Sequence, residues 1–397
     1  QAVLSRVRRI RRGAAQFSPE RRAAGGRCVD LTTAAAADGA SELRRGLNDG
    51  ERLARINREA RGTWRAAPYH HWHRTSVSDI VGTLGTGIRP LRLPLLRECP
   101  DGGSGPSCSG PLGALGAAVV APPPQRFDAR AHWRECPSMR RVRNQGKCGS
   151  CWAVAAVGVL SDRLCIAAAR ANATEQKLRD LALSPQYMLD CDADDQGCSG
   201  GHLDDAWKFL LARGVPEEAC DPYAFCPRPS DPQCGLDERR AQAAVQRAAG
   251  RPRRCPQACP ATEGAPPRML FRARSVYAVS APGDVLGIQQ EILANGPVEA
   301  ALFVFSDFHS YRSGTYFRTR GASGPLGGHA VRLTGWGVDR HGTDFWSAAN
   351  SFGRKWGMRG FFRIRRGTNE CGVETMPAAG LPLLPGVAAA EDAGAAA

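Results

Sequence analysis

The chain has 397 residues, enough for two or three folded units. With 43% hydrophobic and 23% charged residues it can bury a sizeable core, which excludes wholesale disorder. The longest apolar stretch, residues 112–122, is broken by glycine and is far shorter than the ~20 residues that cross a bilayer, so we expect no membrane span. The net charge of +15 favours anionic partners, but no zinc-finger spacing or aromatic platform accompanies it. We expect no nucleic-acid partner.

The cysteine count gives the first positive indication. Fifteen cysteines are typical of an exported chain that uses them as crosslinks, and an odd number leaves at least one without a partner in the same chain. The sequence begins at Gln1, which fits either a secretory signal already removed or a fragment. The sequon at Asn172 agrees with export and predicts glycosylation there.

Composition divides the chain into five parts in order. Residues 1–40 predict a disordered basic arm, and 41–101 predict a folded segment with a helix at about 51–61. Residues 102–124 are rich in glycine and proline and indicate a protease-sensitive linker. The main body spans 125–377, and the alanine-rich residues 378–397 predict a disordered tail.

The main body predicts an α+β fold. Its first half, about 125–265, has apolar residues at helical spacing after Cys151 and again after Asp204. Its second half, about 266–377, predicts strands without further helices, at 298–305, 330–334, 345–349 and 361–364. This order indicates two subdomains side by side, with the cleft between them as the ligand site.

Three short segments predict one catalytic group. Cys151 begins the first predicted helix, where unpaired backbone N–H groups and the helix dipole favour a thiolate. His329 follows two glycines and enters a predicted strand, so it can exchange protons with the sulfur. Asn350 ends another strand, and its side-chain oxygen can orient the imidazole. A structural cysteine beside a core histidine is the alternative.

These segments resemble the active-site segments of papain-like cysteine peptidases, whose signature Cys-Gly-Ser-Cys-Trp ends at Trp152. Within that family the pattern is most similar to cathepsin B, over roughly 127–377. The resemblance rests on Cys148–Arg163, Gly197–Gly201, Asn295–Glu299, Ser306–Phe308 and Gly328–Gly337. It implies a papain-like α+β fold, with a helical left subdomain, a β-barrel-like right subdomain, the active-site cleft between them and a propeptide before them.

The resemblance also implies the role of each site residue. Cys151 would be the nucleophile, His329 its acid–base partner and Asn350 the group that orients the imidazole. Gln145 would donate its amide N–H to the oxyanion of the tetrahedral intermediate, together with a backbone N–H of Cys151. The substrate-binding residues would be Gly200 and Gly201, which admit an extended backbone, with Trp152 and Met376. The resemblance implies neither a metal nor another cofactor.

The spacing Cys148-x-x-Cys151 could also indicate a redox dithiol. The resemblance instead implies five disulfides that leave Cys151 free: Cys136–Cys165, Cys148–Cys198, Cys191–Cys255, Cys220–Cys259 and Cys226–Cys234. The pairing of Cys28, Cys99, Cys108 and Cys371 stays open. The histidines at 70, 71 and 73 could suggest a metal site, but no acid or thiol ligand is near them in the sequence.

Several positions depart from the cathepsin B pattern. Residues 216–260 contain no histidine, whereas in cathepsin B a paired-histidine loop closes the cleft and binds the substrate carboxylate, so we expect no dipeptide trimming. Met376 stands where an acid would accept arginine, which predicts a preference for apolar side chains. Phe352 replaces the usual tryptophan over the Asn–His pair and puts the rate in doubt. Residues 239–254 form a basic insertion, either a solvated loop or a docking surface for acidic glycans.

The upstream segment resembles a cathepsin B propeptide at Ile56-Asn57 and 63–66, whereas 84–90 is closer to tubulointerstitial nephritis antigen proteins. The first resemblance implies a secreted or lysosomal zymogen that acts on proteins or peptides and is inhibited by its own propeptide. The second implies a non-catalytic secreted protein that binds extracellular matrix. Those matrix proteins typically carry serine at the position of Cys151, so the cysteine favours the enzyme.

Overall fold

A computed structural model describes residues 38–96, 122–171, 176–225, 255 and 269–385, without the side chains of 38–40 and 176–177. Several predictions fall outside these residues. They concern the basic arm up to residue 37, most of the linker, the sequon at Asn172 and the basic insertion at 239–254. Cys28, Cys99, Cys108, Cys226, Cys234 and Cys259 also lie outside the described residues.

Three helices of the described part, Gly50–Ala60, Cys151–Arg170 and Leu203–Ala212, form where the sequence predicts them, and the sequence predicts none of the others. The bounds of all the described helices are Asp38–Arg44, Gly50–Ala60, Val77–Ile80, Ala129–His132, Cys151–Arg170, Gln176–Arg179, Pro185–Cys191, Leu203–Ala212 and Val285–Asn295. The helix Val285–Asn295 corrects the expectation that the second half contains no further helix. Asp284 caps it by accepting a hydrogen bond from Gly287 N, and Ile288 and Ile292, four residues apart, are buried on one face.

Nine strands are described, and eight of them form one path of hydrogen-bonded neighbours. They are β1 (Trp64–Ala66), β2 (Phe127–Asp128), β3 (Ala273–Ala278), β4 (Val298–Val304), β5 (Tyr311–Tyr316), β6 (Gly327–Val338), β7 (Asp344–Ala349), β8 (Phe361–Arg365) and β9 (Ala378–Pro382). The order is β1-β5-β8-β7-β6-β4-β9-β3, with β2 paired to β6. The path of strands is open, and the mixed helical and sheet content agrees with the predicted α+β fold. The two ends of this path are β1, from the upstream segment, and β3.

The expectation of disorder after residue 377 is wrong for the part that the structure describes. Strand β9 pairs antiparallel with β3 from Ala378↔Ala278 to Pro382↔Ala273. Ala378 and Ala379 are fully buried. Their small side chains give no apolar alternation, so the sequence did not signal a strand. Similarly, the helix Asp38–Arg44 begins within residues 1–40, for which the sequence predicts a disordered arm.

The helix Cys151–Arg170 runs through the core of the first half. By length and composition it could cross a membrane, whereas the sequence analysis expects no such span. However, 89% of its apolar window is buried inside the protein, as in the core helix of a soluble protein. Its Arg163 is fully buried and pairs with Glu291 at 2.8 Å, which joins the helix to the second half. Asp162 pairs with Arg332 of β6 at 2.8 Å in the same way.

The upstream segment, residues 38–96, is docked on the second half by buried polar groups. Arg52 is fully buried and donates to Glu42 Oε1 at 3.0 Å and to Ser310 Oγ at 2.8 Å. The ring hydroxyl of Tyr69 accepts a hydrogen bond from Gly357 N at 2.7 Å. Strand β1 lies antiparallel to β5, with Trp64 opposite Gly314. Since a buried charge is tolerated only when it is paired, these contacts fix one docking position.

Candidate active site

Cys151 is the first residue of the core helix, and its thiol is fully buried. The preceding Ser150 makes no side-chain cap, so backbone N–H groups of the first turn remain directed toward the sulfur end of the helix. A disulfide between Cys148 and Cys198, with an S–S distance of 2.00 Å, fixes the turn that leads into this helix. Cys148 is therefore not joined to Cys151.

His329 and Asn350 come from two antiparallel strands of the other half. His329 lies on β6 opposite Leu302 of β4, and Asn350 follows the last residue of β7. His329 Nε2 lies 2.7 Å from Asn350 Oδ1. Because an amide oxygen only accepts, Nε2 carries the hydrogen and Nδ1 is the nitrogen left for the thiol. Both side chains are buried.

The environment of Cys151 favours its thiolate. Burial raises the pKa of the thiol, but the charge of His329 and a hydrogen bond with its ring more than offset this and lower the pKa to about 6. Thr86 and the backbone of Ala330 lower it further. These interactions show that the imidazole from the second half meets the sulfur at the start of the helix.

Phe352 covers the imidazole, as the sequence predicts for this position. Its ring stacks on His329 with centroids 4.8 Å apart and an angle of 29°. His309 stacks on the same phenylalanine, also at 4.8 Å, and Trp72 of the upstream segment packs on His309 at 5.5 Å. A second buried histidine thus packs against the same ring as His329. No pattern in the sequence indicates this position for His309.

Residues 83–87 of the upstream segment lie across the catalytic group. Thr86 Oγ1 is 3.1 Å from Cys151 Sγ, and Thr86 N donates to Gly328 O at 3.1 Å. Gly85 passes so close to Gly149 that a Cβ on it would lie 1.7 Å from the Gly149 carbonyl oxygen. Only glycine fits there. The segment therefore excludes any other chain from the sulfur.

Gln145 is buried beside the sulfur and binds the upstream segment. Its side-chain Nε2 donates to Thr83 O at 2.8 Å and to Cys148 O at 2.8 Å. Ser351 Oγ donates to Gln145 Oε1 at 2.5 Å, which orients the amide. The Gln145 amide, which the resemblance assigns as a donor to the oxyanion, is thus hydrogen-bonded to a carbonyl oxygen of the upstream segment.

The predicted substrate-binding glycines pair with the same segment. Gly201 N donates to Gly85 O at 2.8 Å, and Gly87 N donates to Gly201 O at 2.8 Å. A Cβ on Gly201 would lie 2.5 Å from Cδ2 of Trp152, and a Cβ on Gly200 would lie 2.5 Å from Gly85 O. Gly201 therefore has no room for a side chain beside Trp152, whereas Gly200 needs glycine while the segment is bound.

The other predicted substrate-binding residues are buried. Trp152 donates from its indole to Gly197 O at 3.2 Å, which holds the loop that carries the two glycines. Met376 is 4% exposed and lies in the same apolar cluster as Ala301, Ala330 and Ala378. The buried carboxylate of Glu299 lies against this cluster, since Glu299 is paired with Ala378 and accepts from Trp207 Nε1 at 2.8 Å. The apolar pocket at Met376 remains a prediction.

Two further disulfides join predicted partners within the described residues. Cys136 is bonded to Cys165 with an S–S distance of 2.01 Å, and Cys191 is bonded to Cys255. Cys220 also takes part in a disulfide, but its predicted partner lies outside the described residues. The predicted bond between Cys226 and Cys234 lies wholly outside them and remains a prediction.

The sequence analysis missed an acidic group beside the cleft. One ligand atom from each of Asp195, His202 and Asp205 lies within 4.8 Å of the others, the only such trio among the described residues. Arg89 of the upstream segment pairs with Asp204 at 3.1 Å and also with Asp205. From the sequence, Asp204 and Asp205 indicate only the start of a helix. Their partner Arg89 lies more than 100 residues earlier, so no local pattern indicates the contact.

The histidines at 70, 71 and 73 do not join that trio. His70–Trp72 form a 3₁₀ turn in which the rings of His71 and Trp72 pack at 4.7 Å. Trp72 then reaches Phe352 with centroids 6.2 Å apart. The aromatic cluster of this turn therefore serves in docking the upstream segment on the body.

Comparison with known proteins places this fold and site in one class. A family model described as papain family cysteine protease matches residues 123–381. Cathepsin B-like cysteine proteinase 5 of Caenorhabditis elegans is 39% identical over 269 residues, covering 65% of this chain and 74% of the relative. The gut-specific cysteine proteinase of the same organism is 35% identical over 277 residues, covering 66% and 74%.

Solved structures show the same fold with an upstream segment. Procathepsin B S9 from Trypanosoma congolense aligns with a TM-score of 0.67 and 26% identity, covering 85% of this chain and 100% of that chain. Digestive procathepsin L2 from Tenebrio molitor larval midgut aligns with a TM-score of 0.58 at 22% identity, which supports the fold alone. The chain belongs to the papain family of cysteine proteases. Within that family, relatives such as cathepsin B-like cysteine proteinase 5 are cathepsin B-like, and the two solved structures named above are proenzymes.

The ionisation of Cys151 gives a direct prediction. In the full chain, the thiolate absorbance lost on Cys151→Ser should titrate with a midpoint near pH 6. In His329→Ala the midpoint should rise above the usual value of ~8.5, because burial remains while the compensating charge is removed. Ultraviolet difference spectra measure both midpoints between about pH 4 and about pH 10. An ordinary thiol passes from roughly fully protonated to mostly ionised over this range of pH. An unchanged midpoint in His329→Ala would show that the imidazole does not control the sulfur.

Proposed function

We propose that this chain is the zymogen of a cysteine endopeptidase that acts through Cys151, His329 and Asn350. The observation that carries the proposal is the lowered pKa of a fully buried thiol, which depends on an imidazole from the opposite half. A structural cysteine has no need of such a partner. Perturbed thiols of this kind occur where a nucleophile is required.

The chemistry follows from the positions of these groups. The Cys151 thiolate adds to the carbonyl carbon of the scissile peptide bond, and the developing oxyanion accepts from Gln145 Nε2 and a backbone N–H of Cys151. His329 then gives its proton to the leaving amine as the C–N bond breaks and a thioester forms. His329 next takes a proton from water, which attacks the thioester and releases the acid. Losing a single oxyanion donor costs a factor of about 10²–10³ in rate.

Two features support cleavage inside a chain with an apolar side chain near the scissile bond. The stretch 216–260 has no histidine that could bind a terminal carboxylate. Ile88 of the upstream segment packs at Gly328, where a Cβ would lie 2.8 Å from Ile88 Cγ1, and it contacts the cluster that contains Met376. An aliphatic substrate side chain would take the place of Ile88.

The upstream segment supports latency of the intact chain. It covers the sulfur and binds Gln145, so a substrate cannot enter before it leaves. Pro124 at the end of the linker is anchored, because Trp336 Nε1 donates to its carbonyl at 2.8 Å. Cleavage just before this anchor would free residues up to about 121 without disturbing the body.

Mild acid should convert the full chain into an active product that starts near Pro124. A thiol-reactive peptide epoxide should then label Cys151, which is fully buried before processing. Mass spectrometry of the labelled peptide and hydrolysis of a fluorogenic peptide measure the two results. Cys151→Ser, processed by an added protease, is the matched control and should show neither. A processed wild-type chain without label or hydrolysis would contradict the proposal.

His309 supports acid as the trigger. Burial lowers its pKa well below the usual value, and the charges of His329 and Arg52 act in the same direction. Neither of its ring nitrogens has a hydrogen-bond partner among the described residues. Protonation of His309 is therefore disfavoured while Trp72 of the upstream segment covers it. Because the pKa of His309 is lowered in the docked form, docking of the upstream segment keeps its full strength above the usual histidine pKa of ~6.5. Docking weakens as the pH falls below that value, because only the undocked form then takes up the proton readily.

His309→Leu should therefore move the pH midpoint of processing to a lower value. Leucine fills the same space but cannot be protonated, so acid no longer opposes the contact with Trp72. The midpoint is read from gels of the full chain incubated across a pH series. His132→Leu is the control, because His132 lies on the short helix Ala129–His132, away from the upstream segment, and its midpoint should stay unchanged. Equal midpoints in wild type and His309→Leu would place the acid sensor elsewhere.

Secretion or lysosomal residence is part of the proposal, and the disulfides support it because such bonds persist in oxidising compartments. No observation on the described residues favours the non-catalytic matrix protein or a glycan partner. The basic insertion that suggested the latter lies outside the described residues.

A further inference from the structure

We propose that Asp204 and Asp205 form a substrate subsite for an arginine or lysine side chain, which Arg89 fills while the chain is latent. The inference rests on the peptidase function proposed above and names a specificity of the same cleft. It adds a basic side chain, several residues from the scissile bond, to the apolar one expected near Met376.

The guanidinium of Arg89 is held as a ligand would be. Its Nη2 lies 3.1 Å from both carboxylate oxygens of Asp204 and also donates to Asp205 Oδ2. Its Nε lies 3.4 Å from Asp204 Oδ1. The side chain of Asp204 is fully buried, whereas that of Arg89 is 27% exposed. Charge-assisted bonds from one guanidinium to two carboxylates are the strong, geometrically specific kind.

The path of the upstream segment places this contact on the line of the substrate. Thr86 touches the nucleophile, and Gly87 donates to Gly201 O, the position where an extended peptide would bind. Arg89 is three residues beyond Thr86, about 10 Å along an extended chain. A substrate residue three or four positions from the scissile bond would therefore bring its side chain to the same carboxylates.

Departure of the upstream segment leaves Asp204 without its main partners. It loses Arg89 and also the backbone N–H of Arg92, which donates to Asp204 Oδ2 at 3.3 Å. Lys208 Nζ remains at 3.5 Å, but its side chain is 42% exposed. The open cleft would then present Asp204 with one weak, solvated partner, so a basic substrate side chain that restores the lost charge-assisted bonds should bind well.

The charge at this place is carried by Asp204 and Asp205. Burial alone would raise the pKa of Asp204, but the charges of Arg89 and Lys208 lower it, so Asp204 is ionised in the latent chain. Burial and the neighbouring charge of Asp195 raise the pKa of Asp192 to about 7, so Asp192 is largely neutral in mild acid and adds little to that charge. Two ionised carboxylates in a chain of net charge +15 attract cations to this end of the cleft.

The same carboxylates could attract a metal ion, because His202 lies between Asp195 and Asp205. The structure favours an organic cation, since a guanidinium already binds Asp205 and a planar fork matches two adjacent carboxylates. A chelator in the assay distinguishes the two ligands. It should leave a preference for arginine unchanged.

The test compares arginine with citrulline, its neutral isostere, in fluorogenic peptides. The full chain is processed by acid, and the residue is moved through the four positions on each side of the scissile bond, which cover roughly the span of a cleft-bound peptide. One position three or four residues away should show kcat/KM higher for arginine by about tenfold or more, as for a charge-assisted hydrogen bond.

Variants then assign the preference to the two aspartates. Asp204→Asn should reduce the ratio to about twofold or less, because the neutral amide makes no charge-assisted bond. Asp205→Asn is a second variant at a side chain that is 15% exposed, and it keeps the test valid if Asp204→Asn fails to fold. Asp180→Asn is the control, because that side chain is 60% exposed and pairs with Arg141. Its ratio should equal that of the wild type.

The outcomes separate this inference from the peptidase proposal. Hydrolysis with equal rates for arginine and citrulline at every position would overturn the subsite and leave the peptidase intact. A preference that survives in the aspartate variants, or that disappears with chelator, would also overturn it. Absence of hydrolysis for every peptide would contradict the peptidase and the subsite together.

Discussion

A thiol buried in a protein core is normally neutral, because burial disfavours its charged form. Cys151 reverses this rule only because His329 crosses from the other half of the molecule to meet it. The arrangement needs the core helix and strand β6 to keep one relative position. The buried pairs Asp162–Arg332 and Arg163–Glu291 join the two halves of the molecule further along this helix from Cys151. The Cys151–His329 pair thus depends on an interface held by buried ion pairs, and breaking a buried ion pair is strongly destabilising.

The same pair explains why the upstream segment is built as it is. Under the proposed mechanism, an assembled thiolate and imidazole would react with any chain that reached them, so latency requires that the cleft be filled. Residues 83–87 fill it with a hydroxyl on the sulfur, a carbonyl on the Gln145 donor and glycine at the narrowest point. Arg89 continues the contact into a group of carboxylates. In this view, the latent form shows which substrate groups the open cleft would accept.

Local signals in the sequence predict the proposed catalytic residues, because each of Cys151, His329 and Asn350 lies near the end of a helix or strand with its own pattern. They also predict the core helix and four strands of the second half, β4, β6, β7 and β8. They fail for strand β9, whose alanines show no alternation. Contacts such as Arg89–Asp204 join residues more than 100 positions apart, and no local pattern signals them. The open sheet likewise depends on β1, which belongs to the upstream segment.

The most direct measurement asks whether residue 86 touches the nucleophile in the intact chain. Thr86→Cys places a second sulfur where Oγ1 lies 3.1 Å from Cys151 Sγ, close enough for a disulfide after a small adjustment. Peptide mapping of the full-length variant should find the introduced thiol joined to Cys151, whereas Ser78→Cys should leave Cys151 reduced. Two free thiols in Thr86→Cys under oxidising conditions would contradict the account, because the segment would then lie away from the site.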